Sequence, residues 1–159
     1  MDEKKHYITK KRLQDIKKEY KELLYLEHVK TRNEAPKFLE SEEVSSDYLI
    51  YQEDISFLRA RITELEEVLN NHEMIKLPSK DKRKEINLGA KVKVKVDGET
   101  DEFMILGTLE ANPSLGIISN ESPVGRALIG KREGEEVQIS SPINVTYKIL
   151  KIKYPHHLS

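Results

Sequence analysis

The chain has 159 residues, 37% hydrophobic and 35% charged, with a formal net charge of −1. That length suits one ordinary domain, or an extended element joined to a small domain, and the near-neutral balance argues against a protein that grips nucleic acid over its whole surface. Cysteine is absent, which excludes disulfides, thiolate catalysis and cysteine-ligated zinc. No apolar run approaches the length needed to span a bilayer, and the opening Asp2-Glu3-Lys4-Lys5 lacks the apolar centre of a signal peptide. A cytoplasmic location with no membrane partner is therefore expected.

From about Thr9 to Asn33 the residues Leu13, Ile16, Tyr20, Leu23, Leu26 and Val29 recur at helical spacing. From Tyr48 to Leu69 a second stripe runs through Tyr48, Tyr51, Ile55, Leu58, Ile62, Leu65 and Leu69 in alternating steps of three and four, the seam of a coiled coil. The segment between, Pro36 to Asp47, is short enough to force the helices back antiparallel. It carries Glu40, Glu42 and Glu43, and Ser45-Ser46-Asp47 reads as the start of the second helix. Each arm is roughly 35 Å long at about 1.5 Å per residue. The expected product is a thin, solvated rod with an acidic end, either a probe that reaches into a confined place or a dimerisation hairpin with a polar loop.

After Pro78 the period changes. Val92, Val94 and Val96 alternate with Lys91, Lys93 and Lys95, the pattern of a half-buried strand. Asp97-Gly98-Glu99 turns the chain into a second strand over Glu102–Thr108, followed by Leu115–Ser119, Glu136–Ser140 and Asn144–Tyr154, the last alternating with one slip. A short helix is signalled by Ser122 as N-cap, Pro123 in the first turn and Gly130 as the left-handed stop, with Leu128 and Ile129 on its apolar side. The expected class is α+β: a coiled-coil hairpin over residues 1–75, a basic linker over 76–86 with Lys80, Lys82, Arg83 and Lys84, and an antiparallel sheet with one short helix over 87–159. The histidines show no metal-ligand spacing, and no glycine-rich phosphate loop or nucleophile elbow is present.

The run Ser122-Pro123-Val124-Gly125-Arg126-Ala127-Leu128-Ile129-Gly130-Lys131, followed by Glu135-Glu136-Val137, resembles the C-terminal domain of the bacterial Gre-type (GreA/GreB) transcript cleavage factors. The resemblance extends through the N-terminal half, from Thr9 past Ala60-Arg61-Ile62 to Leu69. It implies an FK506-binding-protein-like C-terminal domain that docks on RNA polymerase, and a coiled coil that enters the secondary channel to act on the 3′ end of backtracked RNA. It implies no cofactor of the chain's own, an accessory role in which the polymerase does the chemistry, and a monomer when free.

In that family an Asp and a Glu of the tip help hold the second Mg²⁺ of the polymerase. Laid on that pattern without gaps, this sequence has Ser41 and Val44 at those positions, and neither can ligate Mg²⁺ as a carboxylate does. Glu40, Glu42 and Glu43 are the neighbouring candidates for sharing the metal. Ser122, Pro123, Arg126, Gly130 and Lys131 are the candidate polymerase-docking residues. A non-cleaving protein that occupies the channel, a coiled-coil adaptor unrelated to transcription and a prolyl isomerase stand as alternatives. The third must contend with a C-terminal half whose only aromatics are Phe103, Tyr147 and Tyr154.

Overall fold

The computed structural model describes residues 4–33, 46–140 and 143–158. The chain divides into two compact units, Leu13–Asn71 on one hand and Met1–Arg12 with His72–Ser159 on the other.

The first unit is the helical hairpin. Helix α1 spans Lys10–Asn33 and α2 spans Ser46–Asn70. Lys30 and Arg32 stand in the last turn of α1 and Asp47 in the first turn of α2, each at the helix end its charge favours. The arms run antiparallel, because their cross-links descend α2 as they ascend α1. Glu19 meets Arg61 at 2.7 Å, Glu27 meets Arg59 at 2.6 Å, and Lys30 lies 3.8 Å from Asp54. Ile16, Ile55, Ile62, Leu65 and Val68 are buried, each stabilising by about 1.5–3 kcal/mol when fully withdrawn from water.

The seam departs from the sequence stripe at two places. Leu26 is 41% exposed, and Val68 is buried although it breaks the three-four spacing. Along α1 the three-four alternation of Leu13, Ile16, Tyr20 and Leu23 falls next on Glu27 and Lys30, which are half-buried and ion-paired, rather than on Leu26.

The second unit holds two sheets. Strands β1 (His6–Ile8) and β2 (His72–Met74) pair in parallel as a short ribbon. Three-residue strands show no period, and the sequence reading assigns both to the hairpin. The basic stretch 76–86 is likewise built into this unit. Lys80–Lys84 forms a 3-10 turn, Glu85 bridges to Arg132, and Ile86 is fully buried.

The larger sheet has the order β5-β4-β3-β7-β6, with β3 at Lys91–Val96, β4 at Glu99–Leu106, β5 at Ile117–Ser119, β6 at Glu136–Ile139 and β7 at Val145–Lys153. Asp97 and Gly98, at φ 50° and 84°, make the two-residue β3–β4 turn, a geometry that the twist of paired strands selects. The expectation of a wholly antiparallel sheet is corrected at one pair, since β4 and β5 run parallel. The connection between them passes through 3-10 turns at Thr108–Glu110 and Pro113–Leu115, which returns the chain to the level of Met104 so that β5 runs parallel to the last residues of β4.

The slip in the last strand is a β-bulge. Lys93 pairs with Lys151 and Val94 with Ile149, leaving Leu150 unmatched. This keeps Ile149 and Ile152 on the face of Val94 and Val92, where Ile86, Ala90, Ile105, Leu128 and Tyr154 complete the main core. A smaller cluster gathers Ile75, Leu106 and Leu158. Among the described residues no helix is long and apolar enough to cross a membrane.

Candidate functional site

The tip acids Glu40, Glu42 and Glu43, with Ser41 and Val44, lie outside the described residues. The site that can be built from coordinates is the surface around the short helix α3 (Pro123–Leu128).

Helix α3 is tied to the end of β5 by a knot of three residues. The Ser122 hydroxyl accepts the Gly125 N–H at 3.1 Å and donates to the Ser119 carbonyl at 2.7 Å. The Ser122 N–H donates to that same carbonyl at 3.1 Å. Gly125 passes so close to it that a Cβ would stand 2.0 Å from the oxygen, so this glycine is a steric requirement rather than a source of flexibility. At the other end Gly130, at φ 83°, donates its N–H to the Ile86 carbonyl at 2.8 Å, and the Lys131 carbonyl accepts the Ile86 N–H at 2.9 Å.

The docking residues read from sequence therefore separate by role. Ser122, Gly130 and the backbone of Lys131 hold the helix in place. Pro123 and Arg126 are exposed, and Lys131 is half-buried. Pro123 belongs to the first turn, where the absent N–H costs nothing.

Glu121, marked by no motif in the sequence, is the residue the structure adds. Its carboxylate accepts the Thr108 hydroxyl at 3.0 Å and meets the Lys4 ammonium at 3.2 Å. The Thr108 hydrogen bond, and after it Lys4 and the nearby Arg126, hold this carboxyl below its ordinary range. The exposed Arg126 thus stands beside a fixed negative charge. Lys4, Thr108 and Glu121 are scattered along the chain, so no local spacing could have announced the group.

Close to α3 the unit opens a cleft of about 390 Å³ with Tyr7, Met74, Ile75, Pro78, Leu88 and Ile129 as its apolar walls. Asn87 and Asn120 add amides to its lining, and Glu73 and Lys76 add charged groups. Such a mixture suits an apolar side chain delivered by a partner, with amides to orient the chain that carries it. Phe103 and Tyr147 meet edge to face at a centroid distance of 6.3 Å and pack against the main core. Neither lines the cleft. Among the described residues no group of three or more His, Asp or Glu is placed to hold a metal ion.

Comparison with known proteins joins the two units. Residues 80–154 match the family described as transcription elongation factor, GreA/GreB, C-terminal. The chain is 41% identical over 160 aligned positions to the transcription elongation factor GreA of Clostridium acetobutylicum, covering 95% of this chain and 98% of that one. It is 36% identical to the GreA of Thermomicrobium roseum, covering 85% and 88% respectively. Among solved structures it is similar to the GreA factor homolog 1 protein of Thermus thermophilus, with 22% identity, a TM-score of 0.41 and coverage of 94% and 99%.

Proposed function

Because the chain belongs to the GreA/GreB family of transcription elongation factors, we propose that it docks on RNA polymerase through the surface around α3 and carries its hairpin into the enzyme's secondary channel. The observation that carries this reading is the 41% identity to an elongation factor over 95% of the chain, hairpin and sheet unit together. The hairpin suits the task, since two antiparallel helices that bury a single seam devote chain length to reach rather than to a core. Pro123 and Arg126 are the solvent-facing candidates for the docking contact, and the cleft of mixed lining beside them is the receptor for a polymerase side chain.

In this reading the chain is a monomeric, cytoplasmic accessory factor, and any RNA cleavage belongs to the polymerase. Mg²⁺ in the polymerase active site supplies activation of water and charge neutralisation at the scissile phosphate. Glu40, Glu42 and Glu43 are the residues of this chain that would meet that ion and the RNA 3′ end.

A second reading has its own observation. Ser41 and Val44 stand where the family resemblance calls for carboxylates, which favours a protein that occupies the channel without promoting cleavage and competes with cleaving relatives.

One assay separates them. RNA cleavage is followed in a reconstituted backtracked elongation complex with Mg²⁺, without the protein, with it, and with Glu40, Glu42 and Glu43 all changed to Ala. Acceleration abolished by the triple change supports cleavage with displaced acids. No acceleration, with exclusion of a cleaving GreA, supports occupancy. Failure to bind the polymerase overturns both.

A further inference from the structure

Strands β3 and β7 set lysine opposite lysine three times in succession. Lys91 pairs with Lys153, Lys93 with Lys151 and Lys95 with Lys148. Like charges directly opposite one another destabilise a sheet, so this pattern works against the fold.

The bulge creates it. Lys148 and Lys151 are three apart and would fall on opposite faces of a regular strand. The register shift leaves Leu150 unmatched and brings Lys151 and Lys153 to the face of Lys148. Val92, Val94 and Ile149 are fully buried on the other face. The lysines stand on the outer one, half-buried at Lys91 and exposed at the rest.

Negative charge offsets them only in part. Among the described residues the ion pair made by these lysines is that of Lys91 with Glu102 at 2.7 Å. Glu102 lies opposite Lys93, Glu136 lies opposite Lys148, and the Glu133 carboxylate accepts the N–H of Ile152, between Lys151 and Lys153, at 2.9 Å. The Glu102 carboxyl is held below its ordinary range, by Lys91 first and then by Lys153 and Lys93, as expected of an acid set among several cations.

Alternate residues repeat about every 6.8 Å along a strand, and paired strands lie about 4.8 Å apart. The six lysines accordingly form a double row about 14 Å long and one strand spacing wide. We propose that this double row binds the phosphate backbone of a single nucleic-acid strand without reading its bases. Its width of one strand spacing fits one backbone and is narrower than either groove of a duplex, about 6 and about 12 Å wide. No aromatic residue of β3 or β7 stands among the lysines, since Tyr147 pairs with Val137 and packs against the core. Stacking on bases, and the aromatic anchors usual in protein interfaces, are thereby disfavoured.

The test uses the full chain alone, so its outcome is independent of polymerase docking. Anisotropy of a labelled oligothymidylate is titrated over roughly 50–200 mM salt, where phosphate contacts show as a steep loss of affinity. Lys93→Gln, Lys95→Gln, Lys148→Gln and Lys151→Gln combined should weaken binding by about tenfold or more and reduce the salt slope by about 3. Lys17→Gln, Lys18→Gln and Lys21→Gln on α1 should leave both unchanged. Thermal melting of the sheet variant, unchanged or raised by removal of like-charge pairs, confirms that it folds. Equal binding by wild type and sheet variant, or loss of binding in the α1 variant instead, overturns the proposal. So does polyglutamate competing as well as oligothymidylate, or a duplex binding more tightly than the single strand.

Discussion

Thr9 gives both its backbone N–H and its hydroxyl to the carboxylate of Glu110, 101 positions away, the N–H bond measuring 2.9 Å. The same hydroxyl oxygen accepts the Arg12 N–H at 3.2 Å, so one threonine caps α1 and is itself anchored by an acid from the β4–β5 connection. Thr9 is only 5% exposed, and water cannot readily replace the carboxylate. Glu110→Ala should therefore cost about 1–3 kcal/mol, the desolvation penalty of a stranded donor, with Glu110→Gln losing less. Urea unfolding of the two variants checks this, and an alanine variant as stable as wild type would refute the anchor.

Gly125 and Gly130 make a contrast in what a methyl group meets. A Cβ at Gly125 would lie 2.0 Å from the Ser119 carbonyl oxygen, whereas at Gly130 nothing lies within 4 Å and only the positive φ resists. Gly125→Ala should destabilise by about 3 kcal/mol or more, at the upper end of overpacking costs. Gly130→Ala should cost about 1–2 kcal/mol for the left-handed backbone. Thermal melts rank the two, and the reverse order would contradict the Ser119–Gly125 packing.

In the hairpin, burial should outweigh charge. Ile62 is 6% exposed, and Ile62→Ala should cost about 2–5 kcal/mol through lost burial and the cavity left behind. Arg61 grips Glu19 with two hydrogen bonds, at 2.7 and 3.1 Å, yet it stands in solvent. Arg61→Ala should cost under about 1 kcal/mol. Helical circular dichroism on heating measures both.

The lysines beside Glu102 predict a pH effect of known sign. Its carboxyl sits below the usual 4.5, chiefly through Lys91. A depressed carboxylate adds stability that is present above the usual value and is lost as pH falls through the depressed one. Exposure keeps that contribution small. Carbon NMR of the Glu102 carboxyl should show a midpoint under 4.5, rising toward it in Lys91→Gln; a midpoint indifferent to Lys91 would remove the interaction.

Restoring carboxylates at the tip tests the proposed chemistry. Ser41→Asp with Val44→Glu should confer or raise cleavage of backtracked RNA if missing ligands are all that limit it. Cleavage unchanged at full polymerase occupancy would assign the difference to the shape of the tip.

The helices were legible because apolar residues at helical spacing need no distant partner to declare a face. Ile16, Ile55, Ile62 and Leu65 are buried as that spacing requires, and α3 begins and ends at the Ser122 and Gly130 signals. Arg126 and Pro123 could be named from the motif, but not distinguished from Ser122 and Gly130, because a cap and a contact surface use the same letters. Glu121 and Glu110 gave no sign at all, since each acquires its role from residues far away in sequence.

What the sequence determined by itself is thus local: two amphipathic helices, alternating strands, the glycine turns and the capped helix, all written in period and backbone preference. Tertiary structure alone decided the parallel ribbon of β1 and β2, the transfer of residues 76–86 into the sheet unit, and the parallel β4–β5 pair. It also decided that a bulge at Leu150 gathers six lysines on one face. Each of these depends on which backbone hydrogen-bonds to which, and a pairing partner is chosen by burial and chain return rather than by any pattern within the strand itself.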